Sequence, residues 1–156
     1  MEAQLIEITD AESKSAITRT VLSSLPEWFG IPESTELYMK QSRTLPFVAA
    51  MEGDAAVGFL ALMETSPNAL EIHVMGVLPS HHRKGIGRIL FGWAYQYAHA
   101  HHYDFLHVKT LDASANCAEY DRTRAYYLAM GFKPLVCLPT LWDERNPCLL
   151  LVKAVI

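Results

Sequence analysis

The chain has 156 residues, 51% of them hydrophobic and 19% charged, a balance that suits one globular domain over residues 1–156 and excludes a disordered chain. The formal net charge is -4, so the overall electrostatics do not recommend DNA or RNA as a partner. Three cysteines without a CxxC pair suggest neither a disulfide framework nor a zinc site, no basic-then-apolar leader opens the sequence, and no stretch approaches the about 18 uninterrupted apolar residues of a membrane span, so a soluble cytoplasmic protein is expected.

Residues 4–8 alternate as a short strand, and Thr9 or Asp10 can cap the helix that follows to about residue 24. The segment LPEWFGIPES breaks that helix with Pro26, Gly30 and Pro32, and a short helix over 34–41 comes next. Apolar runs at 47–51 and 56–63 are separated by EGDA, a hairpin signal, and a further strand spans 70–77 after the turn residues SPN. Ile86, Leu90, Trp93 and Tyr97 recur at helical spacing over 85–101, and 105–111 reads as a strand. A helix over 121–130 ends at Gly131, and strands at 132–138 and 148–155 close the chain. The predicted order is β-α-α-β-β-β-α-β-α-β-β, an α/β fold with a mixed sheet flanked by helices.

The stretch PSHHRKGIGRIL, residues 79–90, places a Gly-x-Gly turn among cations at the start of a helix. Helix-start N–H groups and the helix dipole favour an anion there, and Gly85 and Gly87 let a pyrophosphate approach the backbone. Arg83, Lys84 and Arg88 can add charge to further phosphates. On the residues alone the anion is a phosphate of ATP, of a dinucleotide or of coenzyme A, or the stretch is a plain N-terminal turn with solvated charges. A Walker A loop lacks its spacing here, and a dinucleotide fingerprint lacks its third glycine, where Leu90 stands.

VMGVLPSHHRKGIGRIL, followed downstream by YYLAMGF, resembles the GCN5-related N-acetyltransferase (GNAT) family, and the order of elements along essentially the whole chain is similar to that fold. The family's acetyl-CoA loop reads Gln or Arg, two residues, Gly, one residue, then Gly or Ala. Here the register is His82-Arg83-Lys84-Gly85-Ile86-Gly87, so the first position departs as His82. The resemblance implies a sheet of about seven strands, mostly antiparallel, flanked by about four helices. It also implies acetyl-CoA bound by residues 82–88 and by the strand backbone around Met75 and Val77, where the strand splays from its parallel neighbour. Gly76 suits a bulge there. Asn116 resembles a frequent pantetheine-contacting asparagine.

In LEIHVMGV, alternation puts Glu71, His73 and Met75 on one face. The resemblance makes Glu71 the leading general base and His73 the second; the plainer roles are a salt-bridge or rim carboxylate and a hydrogen-bonded core histidine. Tyr127, in YLAMGF, falls where the family carries a tyrosine near the coenzyme sulfur, so it would protonate the departing thiolate or else pack in the core. Trp28 and Phe29 would wall the acceptor cleft or plug the loop beneath it, and Trp142 would line the cleft from the other side. Seven histidines invite a metal reading, but His99, His101 and His102 have no companion ligand in the sequence, and no metal is expected. The expected activity is direct acetyl transfer from acetyl-CoA to a primary amine of a small molecule or peptide, by a monomer or homodimer. The alternatives are a CoA-binding regulatory module without catalysis and an unrelated nucleotide-binding protein.

Overall fold

The protein is described by a computed structural model covering residues 2–156. Its elements are β1 (Gln4–Glu7), α1 (Ala11–Ser23), α2 (Pro32–Ser42), β2 (Phe47–Glu52), β3 (Ala55–Ser66), β4 (Ala69–Val77), α3 (Ile86–Ala100), β5 (Phe105–Leu111), α4 (Ala118–Ala129), β6 (Lys133–Asp143) and β7 (Asn146–Ala154). This is the order the sequence predicts. The strands form one seven-stranded mixed sheet in the order β1-β2-β3-β4-β5-β7-β6. β4 and β5 pair in parallel, over Ala69↔Phe105, Leu70↔Leu106 and Glu71↔His107. The chain groups into two compact units, one running up to Met63 and resuming over Ile72–Tyr97, the other comprising Glu64–Glu71 and Ala98–Ile156.

In the first unit, Asp10, one of the two candidate caps, caps α1: its Oδ2 accepts from the Ser13 amide at 2.8 Å and from the Ser13 hydroxyl at 2.7 Å. The helix buries Val21, Leu22 and, just past its end, Leu25 against Phe47, Ala49, Phe59, Ala61 and Val74. Phe47 and Phe59 stack with centroids 5.2 Å apart. Gly76 makes this packing possible, because a Cβ there would lie 2.9 Å from Val21 Cγ1 and 3.1 Å from Leu25 Cδ1. The sequence reading assigned Gly76 to a bulge; its evident service is the close approach of α1. Gly58 does the same for α3, since its Cβ would sit 3.2 Å from Ile86 Cγ2 and 3.4 Å from Leu90 Cδ1.

In the second unit, β5 pairs with β7 along its whole length, from Phe105↔Ala154 to Leu111↔Cys148. α4 stops at a left-handed Gly131, φ +96°. Several boundaries differ from the sequence reading, two of them with a local reason. α4 begins at Ala118 with no side-chain cap at Cys117, so the usual start signal is missing. β6 continues to Asp143 and carries Trp142 within the strand, although Pro139 makes that segment read as a loop.

The division between the units falls inside β3 and β4, whereas domain boundaries ordinarily fall in exposed linkers. We therefore propose that residues 1–156 unfold as one domain; a single thermal transition seen identically by circular dichroism and by tryptophan fluorescence is expected, and two resolved transitions would refute it. Gly76→Ala is expected to destabilise by about 1–3 kcal/mol in urea unfolding, because Val21 is a stiff β-branched side chain with no room to retreat.

Candidate active site

α3 starts where a non-helical turn releases it. Arg83 has φ 62° and Gly85 φ 82°, both left-handed, and the first backbone bond into the helix runs from Ile89 N to Gly85 O at 3.2 Å. Residues 86–88 form the first turn of the helix, where the positive end of its dipole lies. A Cβ on Gly85 would meet no atom within 4 Å, so the backbone angle, and not crowding, demands glycine, and the space above the turn is open. Arg83, Lys84 and Arg88 are exposed around it. A left-handed glycine turn, the positive end of a helix dipole and exposed cations are features that favour an anion.

The two histidines of the turn face other ways. His81 Nε2 lies 2.8 Å from Glu52 Oε1, and His82 Nε2 lies 2.7 Å from the Val77 carbonyl oxygen. The Leu78 amide donates to Val57 O at 2.9 Å, so Leu78 N–H is already committed.

Glu71 and His73 lie on the same strand with different neighbours. His73 Nε2 sits 2.7 Å from Gln41 Oε1 and its ring stands edge-on to Tyr38, centroids 5.5 Å apart. Tyr38 also meets Phe29 at 6.0 Å, so Phe29, Tyr38 and His73 form one aromatic chain. Trp28 and Phe29 are half-buried and pack against the α1 core cluster. Met75 and Val77 are likewise half-buried on β4.

Glu71 is buried, its side chain only 8% exposed, with Lys109 Nζ 3.0 Å from Oε2. His107 Nδ1 lies 3.9 Å from the same oxygen, and His107 Nε2 is 2.6 Å from the Thr65 hydroxyl. Burial pushes the His107 imidazole below its ordinary range; Glu71 opposes that and Lys109 adds to it. The sequence reading did not single out His107 or Lys109. Their signal was available only as two polar residues on alternate positions of a strand, with the partner set by the β4–β5 register.

Tyr127 is buried on α4, its ring edge-on to Phe132 at 5.6 Å and to Tyr126 at 5.1 Å. Asn116 precedes α4 in a left-handed conformation, φ 55° and ψ 49°. Cys117 Sγ donates to Glu119 Oε2 at 3.4 Å. Trp142 is exposed on β6. Among the described residues no group of three or more His, Cys, Asp or Glu is placed to hold a metal ion.

The sequence model of the acetyltransferase (GNAT) family matches residues 14–132. Among curated proteins the sequence has no match. Among solved structures, a GNAT-family protein from Desulfovibrio desulfuricans superposes with a TM-score of 0.87 at 16% identity, covering 99% of both chains. An aminoglycoside 6'-N-acetyltransferase solved with coenzyme A gives 0.75 at 17% identity, covering 98% of this chain and 97% of that one. The yncA protein of Salmonella typhimurium, solved with acetyl-CoA, gives 0.75 at 13% identity, covering 100% of this chain and 95% of that one.

The Glu71 cluster predicts a sign pattern for His107. In an NMR titration Lys109→Met should raise the His107 midpoint and Glu71→Gln should lower it further; shifts of the opposite sign would mean the charges are not coupled. Because the folded state holds His107 below its unfolded value of about 6.5, its contribution to stability is present above that pH. It is lost as the pH falls. Thermal stability of His107→Gln should therefore fall less steeply between pH 7 and 5 than that of the unaltered protein.

Proposed function

The chain belongs to the acetyltransferase (GNAT) family, and from that premise we propose that it is an acetyl-CoA-dependent N-acetyltransferase acting by direct transfer to a primary amine. The observation that carries this reading is the turn before α3: left-handed Arg83 and Gly85, open space over Gly85, and cations that stay exposed. Bound acetyl-CoA would supply an activated acetyl thioester. The amides of residues 83–88 would bind its pyrophosphate, and Arg83, Lys84 and Arg88 would neutralise further phosphate charge. As the family resemblance implies, backbone amides of β4 near Val77 would bind the thioester carbonyl and stabilise the negative charge that develops on its oxygen; Leu78 N–H is held by Val57 O. Asn116 would hold the pantetheine arm.

An amine of pKa about 10.4 is mostly protonated at neutral pH and must lose a proton before it attacks. Glu71, as the carboxylate held beside Lys109, would take that proton through water, with His73 the second candidate. Tyr127 would donate to the departing thiolate; a phenol with an ordinary pKa of about 10 is protonated at neutral pH. Trp28 and Phe29 would wall the acceptor, with Trp142 on β6 as a further contact. The aminoglycoside acetyltransferase neighbour supports a small-molecule amine as one acceptor class and a peptide amine remains the other. A cytoplasmic site of action is part of the same proposal; among the described residues no helix is long and apolar enough to cross a membrane.

A second reading, a CoA-binding module without transfer, is favoured by the Glu71–Lys109 ion pair and by the burial of Tyr127. Thermal shift with CoA, ATP and NAD followed by acetyl transfer over an amine panel separates the readings. CoA and acetyl-CoA alone should stabilise the protein, and transfer should drop by about 10²-fold in kcat for both Tyr127→Phe and Glu71→Gln. Stabilisation without any transfer would leave the binding module, and stabilisation by ATP or NAD instead would remove both.

A further inference from the structure

The sequence presents His81 and His82 as two polar residues in a basic turn, yet each is tied to a separate point of the unit that carries it. Glu52 accepts from His81 Nε2 at 2.8 Å, and His81 Nδ1 lies 2.8 Å from the Ser80 hydroxyl. The Val77 carbonyl can only accept, so His82 Nε2 carries its proton and donates across 2.7 Å. The His82 ring also stands edge-on to Trp28, with centroids 6.0 Å apart and planes at 84°. Trp28 in turn packs on the α1 core cluster.

The consequence falls on one peptide group. The oxygen of the Val77–Leu78 peptide is held by His82, and its N–H is held by Val57 O at 2.9 Å. A peptide plane fixed at both its oxygen and its hydrogen cannot swivel, so the exit of β4 has a set orientation before any ligand arrives. Pre-ordering of this kind lowers the entropy lost on binding.

We propose that His82 is a positioning residue for acetyl-CoA, whose side chain locks the end of β4 to the anion-binding turn and to Trp28. The proposal rests on the acetyltransferase function proposed for the chain. It assigns a reason to the departure at this position: His82 stands where the family pattern has Gln or Arg, and a glutamine amide can donate to the same carbonyl. Since the contact is a single exposed hydrogen bond, its loss should weaken binding by a modest factor, about three- to tenfold.

Two measurements test this separately. In the ligand-free protein, the ¹⁵N shifts of His82 should report a proton on Nε2; a proton on Nδ1 would overturn the anchoring. By calorimetry, His82→Ala should bind CoA about three- to tenfold more weakly than the unaltered protein, and His82→Gln should return to within about twofold of it. A tight-binding His82→Ala, or a His82→Gln as weak as His82→Ala, would overturn the proposal. If the unaltered protein does not bind CoA, the acetyltransferase reading falls and the proposed role in acetyl-CoA binding falls with it, while the tautomer still decides the anchoring on its own.

Discussion

The near-contact of α1 with β4 at Gly76 governs much of the architecture of the first unit. With hydrogen in place of a side chain, the helix settles until Val21 and Leu22 have no exposure and Leu25 has 4%. Where α1 ends is therefore fixed, and so is the departure of the next segment. Trp28 N and Phe29 N both donate back to Leu25 O, at 3.1 and 2.9 Å, so the two aromatic residues inherit their positions from Leu25. Trp28 then reaches His82, and Phe29 reaches Tyr38 and through it His73. A packing constraint in the core thus sets the placement of both ends of the candidate site in this unit.

Local signals carried the element order because each element has local punctuation: Asp10 before α1, EGDA between β2 and β3, and Gly131 after α4. The start of α4 was displaced because Cys117 offers no side-chain cap. The sequence ends β6 at 138 because Pro139 argues against a strand, yet Leu138↔Cys148 and Asp143↔Asn146 keep it paired across an irregular register. Pairing with β7 outweighs local propensity there.

Site residues were legible where backbone chemistry decides, and illegible where a distant partner decides. Gly85 declares its left-handed angle by being glycine. His81, His82 and His107 declare nothing, because Glu52, Trp28 and Glu71 reach them only after the strands are in register. Glu71 is the clearest instance. Read on its own strand it is a carboxylate among apolar residues, a natural base; in the fold it is a buried anion compensated by Lys109 and faced by His107. Removing a buried charge's partner costs far more than the pair contributes, so Lys109 is bound up with whatever Glu71 does.

The turn before α3 divides its labour by side-chain type. Arg83, Lys84 and Arg88 stay at the surface, where long flexible cations can follow a polyphosphate without being pre-ordered. The imidazoles of His81 and His82, short and rigid, turn inward to a carboxylate and a carbonyl. Reversing that arrangement would fix the long cations against the protein and leave the two short imidazoles without the partners that hold them. The observed arrangement leaves the long, flexible side chains exposed and puts the groups with the fewest rotamers where orientation is held.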